Sequence, residues 1–279
     1  MSEVVKKYYD NRASEEWNRL VQDGYHQLEF IVTKHFLEKY LPKKGLILDA
    51  GGGPGRYSIE LARKGYGVVL FDLSPRCLEV AALQIERAGV RGKVRSIVKG
   101  SITDLSTFVD GTFDAVLCLG AMSHLIQRKD RESAASELVR VAKENAPTFI
   151  SVISLYGVFR TVLQRLPHEF LKTSQREMFS DGVHRAKWHR NEAEKSFPDA
   201  YFFRPADLRE LFESHGLTTL EMATCEGLSS QLQNETNKIC EDRRKWKFWL
   251  DILLKTCSDP AIIGLGEHFL YVGKKENRK

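Results

Sequence analysis

The residues with the most specific chemistry lie between Leu46 and Arg56, in the run Leu-Ile-Leu-Asp-Ala-Gly-Gly-Gly-Pro-Gly-Arg. An apolar stretch ends in Asp49, and Gly51, Gly53 and Gly55 follow at D-x-G-x-G-x-G spacing before a helix-like segment, Tyr57 to Ala62. Strand, glycine turn and helix start in that order build a site for a nucleotide-type ligand. Glycine lets the backbone turn sharply and approach the ligand closely, and the unpaired N–H groups of the helix start face it. Two common forms of such a site are excluded. A G-x-G-x-x-G pattern begun at Gly51 puts Arg56 in the third glycine position, and begun at Gly52 it puts Pro54 in the second. There is no G-x-x-x-x-G-K-[ST] either. An acid just before the glycines suits a ligand carrying an ammonium group rather than a pyrophosphate.

This stretch resembles motif I of the class I S-adenosylmethionine (SAM)-dependent methyltransferases and, within them, the type 11 group. The resemblance implies SAM as cofactor, with Asp49, Gly51, Gly53 and Gly55 holding its methionine end. Downstream, Val68 to Leu73 reads as a second buried strand that carries Asp72 near its end, with Leu73 beside it on the cofactor. Asp72 lies about 20 residues past the glycines, where an acid reaches ribose hydroxyls; a carboxylate accepts from both. Ser74-Pro75 then opens a helix as N-cap and first residue. Val94 to Gly100 reads as the third strand. Many members of the family carry an acid directly after that glycine to bond the adenine amino group; Ser101 stands there, and Ile102 is expected against the adenine face. Asp110-Gly111 leads into Phe113-Asp114-Ala115-Val116-Leu117, which is similar to motif IV of the family. Leu119 ends that strand at the cofactor, and His124 follows it closely. A histidine of near-neutral pKa suits proton removal from an acceptor, so His124 is the candidate base. The Asn/Asp-Pro-Pro-Tyr signature is absent from this strand end, which argues against amino-adenine and glutamine methylases.

The elements that must position these residues alternate strand and helix from about residue 46 to 154, which indicates a doubly wound, mostly parallel α/β sheet. A helix with Pro205 near its start, a strand from Leu217 to Ala223 and a last strand from His268 to Gly273 complete it. The resemblance implies a seven-stranded Rossmann-like methyltransferase fold in the order 3-2-1-4-5-7-6, the seventh strand antiparallel. The expected division is a helical cap over 1–41, a SAM-binding core over 42–154, a lid and substrate insertion over 155–204, and the rest of the core over 205–279 with a helical insertion at about 228–265.

Three segments outside the core are expected to set the substrate. In similar methyltransferases an N-terminal tyrosine-bearing segment closes over SAM, so Tyr8 is expected on the cofactor, Tyr9 is an alternative to it, Arg12 is expected to pair the cofactor's carboxylate, and Trp17 is placed with the substrate. The 155–204 insertion carries His184, Trp188, Tyr201 and Phe203, an aromatic and histidine-rich cover that fits an apolar or aromatic acceptor and excludes water. Its histidines lack a ligand spacing for zinc, so no metal is expected. In the third segment, Glu241 to Leu250 interleaves basic residues with Trp246 and Trp249. That run is read as an amphipathic helix with Trp246, Trp249 and Leu250 inward, a lid or dimer contact, in preference to an RNA contact.

Composition agrees with a globular enzyme: 279 residues, 42% hydrophobic, formal charge +5. No apolar run reaches the roughly 18–20 residues of a membrane span, and the N-terminus lacks a signal-peptide core. Cys77, Cys118, Cys225, Cys240 and Cys257 form no C-x-x-C pair, which suggests reduced thiols and a cytoplasmic protein. The expected activity is methyl transfer from SAM to a small molecule, with O, N, S and C all open as the accepting atom. A protein side chain as acceptor, and SAM binding without transfer, are the alternatives. Nucleic acid is the weakest partner, and the oligomeric state stays open.

Overall fold

The computed structural model describes residues 3–169, 173–186 and 197–276. Its central sheet is built from β1 (Leu46–Ala50), β2 (Gly67–Asp72), β3 (Val94–Lys99), β4 (Ala115–Leu119), β5 (Pro147–Ile153), β6 (Leu217–Thr224) and β7 (His268–Lys275). These strands stand in the order 3-2-1-4-5-7-6. All pairings from β3 across to β5 are parallel, and β7 runs antiparallel to both β5 and β6. The expected order is therefore the observed one. The crossovers reverse direction between β1 and β4, which opens a crevice at their carboxyl ends. Asp49 faces Leu70 of β2 on one side and Leu117 of β4 on the other, so its carboxylate stands in the middle of that edge.

The inner strands β1, β2, β4 and β5 are mostly apolar because both faces are covered, whereas the edge strands β3 and β6 carry charged and polar residues. Ile47, Ala115, Leu117 and Leu270 point into one core, shared with α2 (Gln27–Tyr40), α3 (Arg56–Arg63) and α4 (Pro75–Arg87). Leu48, Val116, Cys118 and Phe269 point into the other, shared with α5 (Arg128–Val141) and α8 (Pro205–Ser214). Ser74 caps α4, its Oγ accepting from the Cys77 N–H at 3.0 Å with Pro75 next in line. All five cysteines are free thiols. Among the described residues no helix is long and apolar enough to cross a membrane.

The N-terminal 41 residues hold two helices with different tasks. Leu28, Val32, Phe36 and Leu37 of α2 are at most 5% exposed and form part of the core, each contributing about 1.5–3 kcal/mol by burial. α1 (Glu3–Arg19) instead lies over the strand ends against α4. The 155–204 insertion contributes α6 (Leu155–Arg165), α7 (Thr173–Asp181) and a two-stranded ribbon, Val183–His184 with Ala200–Tyr201. Leu155, Met178, Ala200 and Phe202 give it a small core of its own. α9 (Gln233–Cys240) and α10 (Arg243–Thr256) form the last insertion. α10 is amphipathic as expected, with Leu253 buried and Trp246 and Leu250 against the first core, while Phe248 is 67% exposed.

Gly157 shows how tightly α6 is seated. A Cβ there would meet the Gly266 carbonyl oxygen at 2.2 Å and the Glu267 Cα at 2.8 Å, both backbone atoms just before β7. Rigid backbone cannot yield as a side chain can, so Gly157→Ala should destabilise the protein by about 1–3 kcal/mol. Urea unfolding should show a lower midpoint with an unchanged slope; an unchanged midpoint would contradict this packing.

Candidate functional site

After β1 the chain turns through Gly51, φ +74°, where a Cβ would come within 2.4 Å of the Ala121 Cβ beyond β4. The Gly51 N–H donates to the Phe71 carbonyl at 2.7 Å and the Gly53 N–H to Asp72 Oδ2 at 2.9 Å, so the loop is fastened to the end of β2. Gly55, φ +81°, sits at the N-cap of α3 with its N–H on the Gly52 carbonyl. Asp49 is fully buried beneath this loop. Its Oδ2 accepts from Ser58 Oγ of α3 at 2.7 Å, and its Oδ1 has no hydrogen-bond partner. Burial pushes the carboxyl up to about 6. Asp72 is also lifted to about 6, burial outweighing the two backbone N–H groups, of Ser74 and Gly53, that hold it.

These groups open onto a cavity of about 330 Å³ at the carboxyl ends of the strands. Of the residues expected in the site, Asp49, Gly51, Gly53, Asp72, Leu73, Ile102, Leu119, Tyr8 and His124 line it. Gly55 does not; it packs on Ala81 and Leu70 of the core. Ser101 turns its hydroxyl onto Thr103 Oγ1 at 2.8 Å and is off the wall. Gly100, where a Cβ would enter the Phe71 ring, lines it instead.

α1 covers the cavity and is pinned along its length. Asp10 Oδ1 accepts from Ser74 Oγ at 2.6 Å. Arg56 stacks 3.9 Å over the Trp17 ring and donates to the Trp17 carbonyl. Arg19 donates to Glu29 Oε2 at 2.6 Å, and Tyr9 and His124 share a 2.7 Å hydrogen bond. Arg12 does not reach the cavity: its guanidinium lies 4.6 Å over the Tyr8 ring. Arg19, two turns further along, lines the wall in its place. Trp17, expected on the substrate, is a platform for Arg56.

His124 lies where expected, but not with the near-neutral basicity expected of it. It is 6% exposed, and burial lowers it to about 4. His184, Tyr201 and Phe203, expected on the substrate, fall away from the cavity. His184 stacks on Phe202 at 5.9 Å, Tyr201 lies under the Arg131 guanidinium at 3.6 Å, and Phe203 is 1% exposed in the core. Trp188 lies outside the described residues. Phe197, not singled out as a site residue, lines the wall. No residue of 228–265 does, so α10 is not the roof of this cavity.

The far end of the cavity holds a charge network that no local sequence signal marks. Glu29 and Glu226 both approach His268 Nδ1, at 3.7 and 2.8 Å. Arg19 holds Glu29 from the other side. Glu267 Oε1 accepts from the Tyr25 hydroxyl at 2.6 Å and from Gln231 Nε2 at 2.7 Å. The facing carboxylates Glu29 and Glu226 raise His268 to about 9 against its desolvation, and Arg19 and His268 hold Glu29 down to about 2 against its own. Although Glu29, Glu226 and His268 bring three ligand-type atoms within 4.8 Å of one another, the Arg19 guanidinium on Glu29 marks the group as a charge network. The links from Tyr25 to Glu267 and from Glu29 to His268 join residues more than 200 apart in the chain; only the place of His268, opening the last strand at the edge where ligands bind, hinted at them.

The family profile described as "Methyltransferase domain" matches residues 47–145, the span from β1 to just past α5. Residues 47–145 therefore form a methyltransferase domain. A glycine/sarcosine N-methyltransferase of Halorhodospira halochloris is 34% identical over 105 residues, 37% of this chain and 38% of that protein. A ubiquinone biosynthesis O-methyltransferase of Dechloromonas aromatica is 32% identical over 129 residues, 43% of this chain and 53% of that protein. The chain thus spans about half, or less, of the length of these curated relatives. A SAM-dependent methyltransferase structure from Methanosarcina mazei shares the fold at a TM-score of 0.61 and 20% identity, over 87% of this chain and 98% of that one. Two features of this methyltransferase core fit SAM. The unpartnered Asp49 Oδ1 needs a donor, and a Cβ at Gly53 would meet no protein atom within 4 Å, so the loop faces open space there.

Two measurements follow. An acid that must be ionised to hold a cationic ligand loses that ability as it protonates, so SAM affinity, read by calorimetry, should fall steeply as pH drops through 6; a flat profile from pH 8 to 5 would contradict the role of Asp49 and Asp72. His268 has the opposite sign. Its raised value means its ion pairs contribute stability fully below about pH 6.5 and lose it as pH rises through about 9. The fall in thermal midpoint between pH 7 and 9.5 should shrink in His268→Gln.

Proposed function

We propose that this protein transfers the methyl group of SAM to a small-molecule acceptor. The observation that carries the reading is the buried, unpartnered oxygen of Asp49 at the cavity floor. A buried carboxylate without a partner is costly, and an ammonium group supplies what it lacks. In this reading Asp49 accepts from the SAM ammonium and Asp72 from the ribose hydroxyls. Leu73, Ile102 and Gly100 flank the adenine, Gly51 and Gly53 let the backbone approach, Leu119 closes the cofactor's side, and Tyr8 stands where cofactor and acceptor meet. Arg12 and Ser101 have no direct part. When bound, SAM supplies a methyl on a sulfonium, already a good leaving group, so positioning supplies much of the rate.

Two features favour a small acceptor over a protein side chain. A cavity of about 330 Å³ is at the lower end for small-molecule sites, and α1 closes it through contacts on four elements. The N- and O-methyltransferases among the relatives, named for glycine, sarcosine and ubiquinone biosynthesis, support the same class.

The test is incubation of methyl-labelled SAM with the protein and an extract of the source cells, split into soluble and acid-precipitable fractions. Label should enter the soluble fraction, and Asp49→Ala should abolish it together with SAM binding. Nuclease-resistant label in the precipitate would instead identify a protein acceptor. SAM binding that survives Asp49→Ala unchanged would refute the site.

A further inference from the structure

Four rings from three separate segments meet on the cavity wall. Tyr8 and Tyr9 come from α1, His124 from the turn after β4, and Phe197 from the insertion. Tyr8 and Tyr9 stand edge to face, centroids 5.3 Å apart at 85°. Tyr9 and His124 do the same at 5.3 Å and 80°. Phe197 closes the circuit, 6.1 Å from Tyr8 at 74° and 5.8 Å from His124 at 42°. All four residues line the cavity, and an aromatic wall of this kind attracts a cation that has shed its water. The Arg12 guanidinium already lies over Tyr8, which shows that this ring takes a cation.

The polar atoms of the box are set by one chain of hydrogen bonds. His124 Nδ1 lies 3.3 Å from the Asp199 carbonyl oxygen. A carbonyl can only accept, so Nδ1 carries the hydrogen and Nε2 is bare in the neutral ring. Nε2 therefore receives the Tyr9 hydroxyl at 2.7 Å. The Tyr9 proton is committed to His124, which leaves the oxygen of this wall residue free to act as an acceptor.

We propose that this box is the acceptor subsite and that it takes a small amine, one N–H of which donates to the Tyr9 oxygen. The inference rests on the transferase reading above and names its substrate class. The amine reacts in its neutral form. Its lone pair forms the new N–CH3 bond while the C–S bond of the sulfonium breaks, and that electron pair stays on sulfur. The positive charge passes from sulfur to nitrogen, inside the rings, and the product leaves as an ammonium ion. No proton has to move in this step. A hydroxyl or thiol acceptor would have to lose one, and His124 is badly placed to take it: burial holds the ring neutral with a pKa of about 4, and its one bare nitrogen is filled by Tyr9.

The test uses the full chain, SAM isotopically labelled at the methyl carbon, and a deproteinised metabolite extract of the source cells as the acceptor mixture. The carbon NMR shift of the product methyl reports the atom to which it is bonded. A methyl on nitrogen is the expected result; a methyl on oxygen, sulfur or carbon overturns the inference and leaves the transferase reading standing. If SAM binds and no labelled product forms, the transferase reading itself fails, and this inference with it. With the amine in hand, Tyr9→Phe should raise its KM about tenfold, the equivalent of one lost hydrogen bond, and Phe197→Leu should lower kcat about tenfold, because the charge reaches the rings only during transfer; both should leave SAM binding within about twofold. An equal loss of SAM affinity with the amine KM unchanged would place the box around the cofactor and overturn the assignment.

Discussion

The rest of the structure is arranged around one buried negative charge. Asp49 sits between β2 and β4 at the centre of the sheet's carboxyl edge, fully out of water. Leaving a carboxylate there is expensive, and the protein gives it one donor, Ser58, where its oxygens could take several. Every neighbour is consistent with keeping the remaining position open. Gly51 and Gly52 have no side chain to fill the space, and Ala121 is small enough to let the loop pass. The start of α3 is drawn in close enough for Ser58 to reach. A glycine-rich turn over a lone acid makes little sense as packing and good sense as a receptor for a cationic group.

Around this rigid floor the protein places a different kind of wall. α1 is held by polar contacts more than by its own core: a carboxylate on the cap of α4, an arginine on a carbonyl, a phenol on an imidazole, and an ion pair to α2. Only Val5 and Ala13 of the helix are buried. Most of these polar pins are worth little each in net terms, but the Arg19–Glu29 pair, with Glu29 buried, is costly to break. α2 carries the opposite balance, with a continuous apolar stripe into the sheet. The pairing of one sealed helix with one helix pinned by polar contacts suits a site that must admit two ligands and then exclude water.

The charge network at β7 completes the wall and shows how burial sets chemistry in either direction. His124 and His268 both line the cavity, yet they are pushed opposite ways. His124 meets aromatic rings and a backbone carbonyl, and stays neutral. His268 meets Glu29 and Glu226, and keeps its proton. Neither behaviour follows from the residue type; each follows from which side chains the fold brings to it.

Much of the fold was legible in the sequence because its signals are local. Apolar runs ending at Asp49 and Asp72, glycines at fixed spacing, and Ser74-Pro75 at a helix start each act within a few residues, and the strands and the floor of the site follow from them. The wall was not legible in this way. Arg12 and Arg19 are indistinguishable as members of an N-terminal helix, and only the angle at which α1 crosses the strand ends decides that Arg19 reaches the cavity. Ser101 and Gly100 are neighbours, and only the turn after β3 decides which one faces it. Tyr201 and Phe203 look like substrate aromatics in an aromatic-rich segment, but the return of that segment along β5 buries Phe203 and puts Tyr201 under Arg131, while Phe197 comes forward. The sequence by itself determined the sheet, the glycine loop and the acids beneath it, because local backbone preference and strand periodicity specify them. Only the tertiary structure decided how basic His124 is, which tyrosine it holds and which rings line the cavity, because those depend on burial and on partners more than 70 residues apart in the chain.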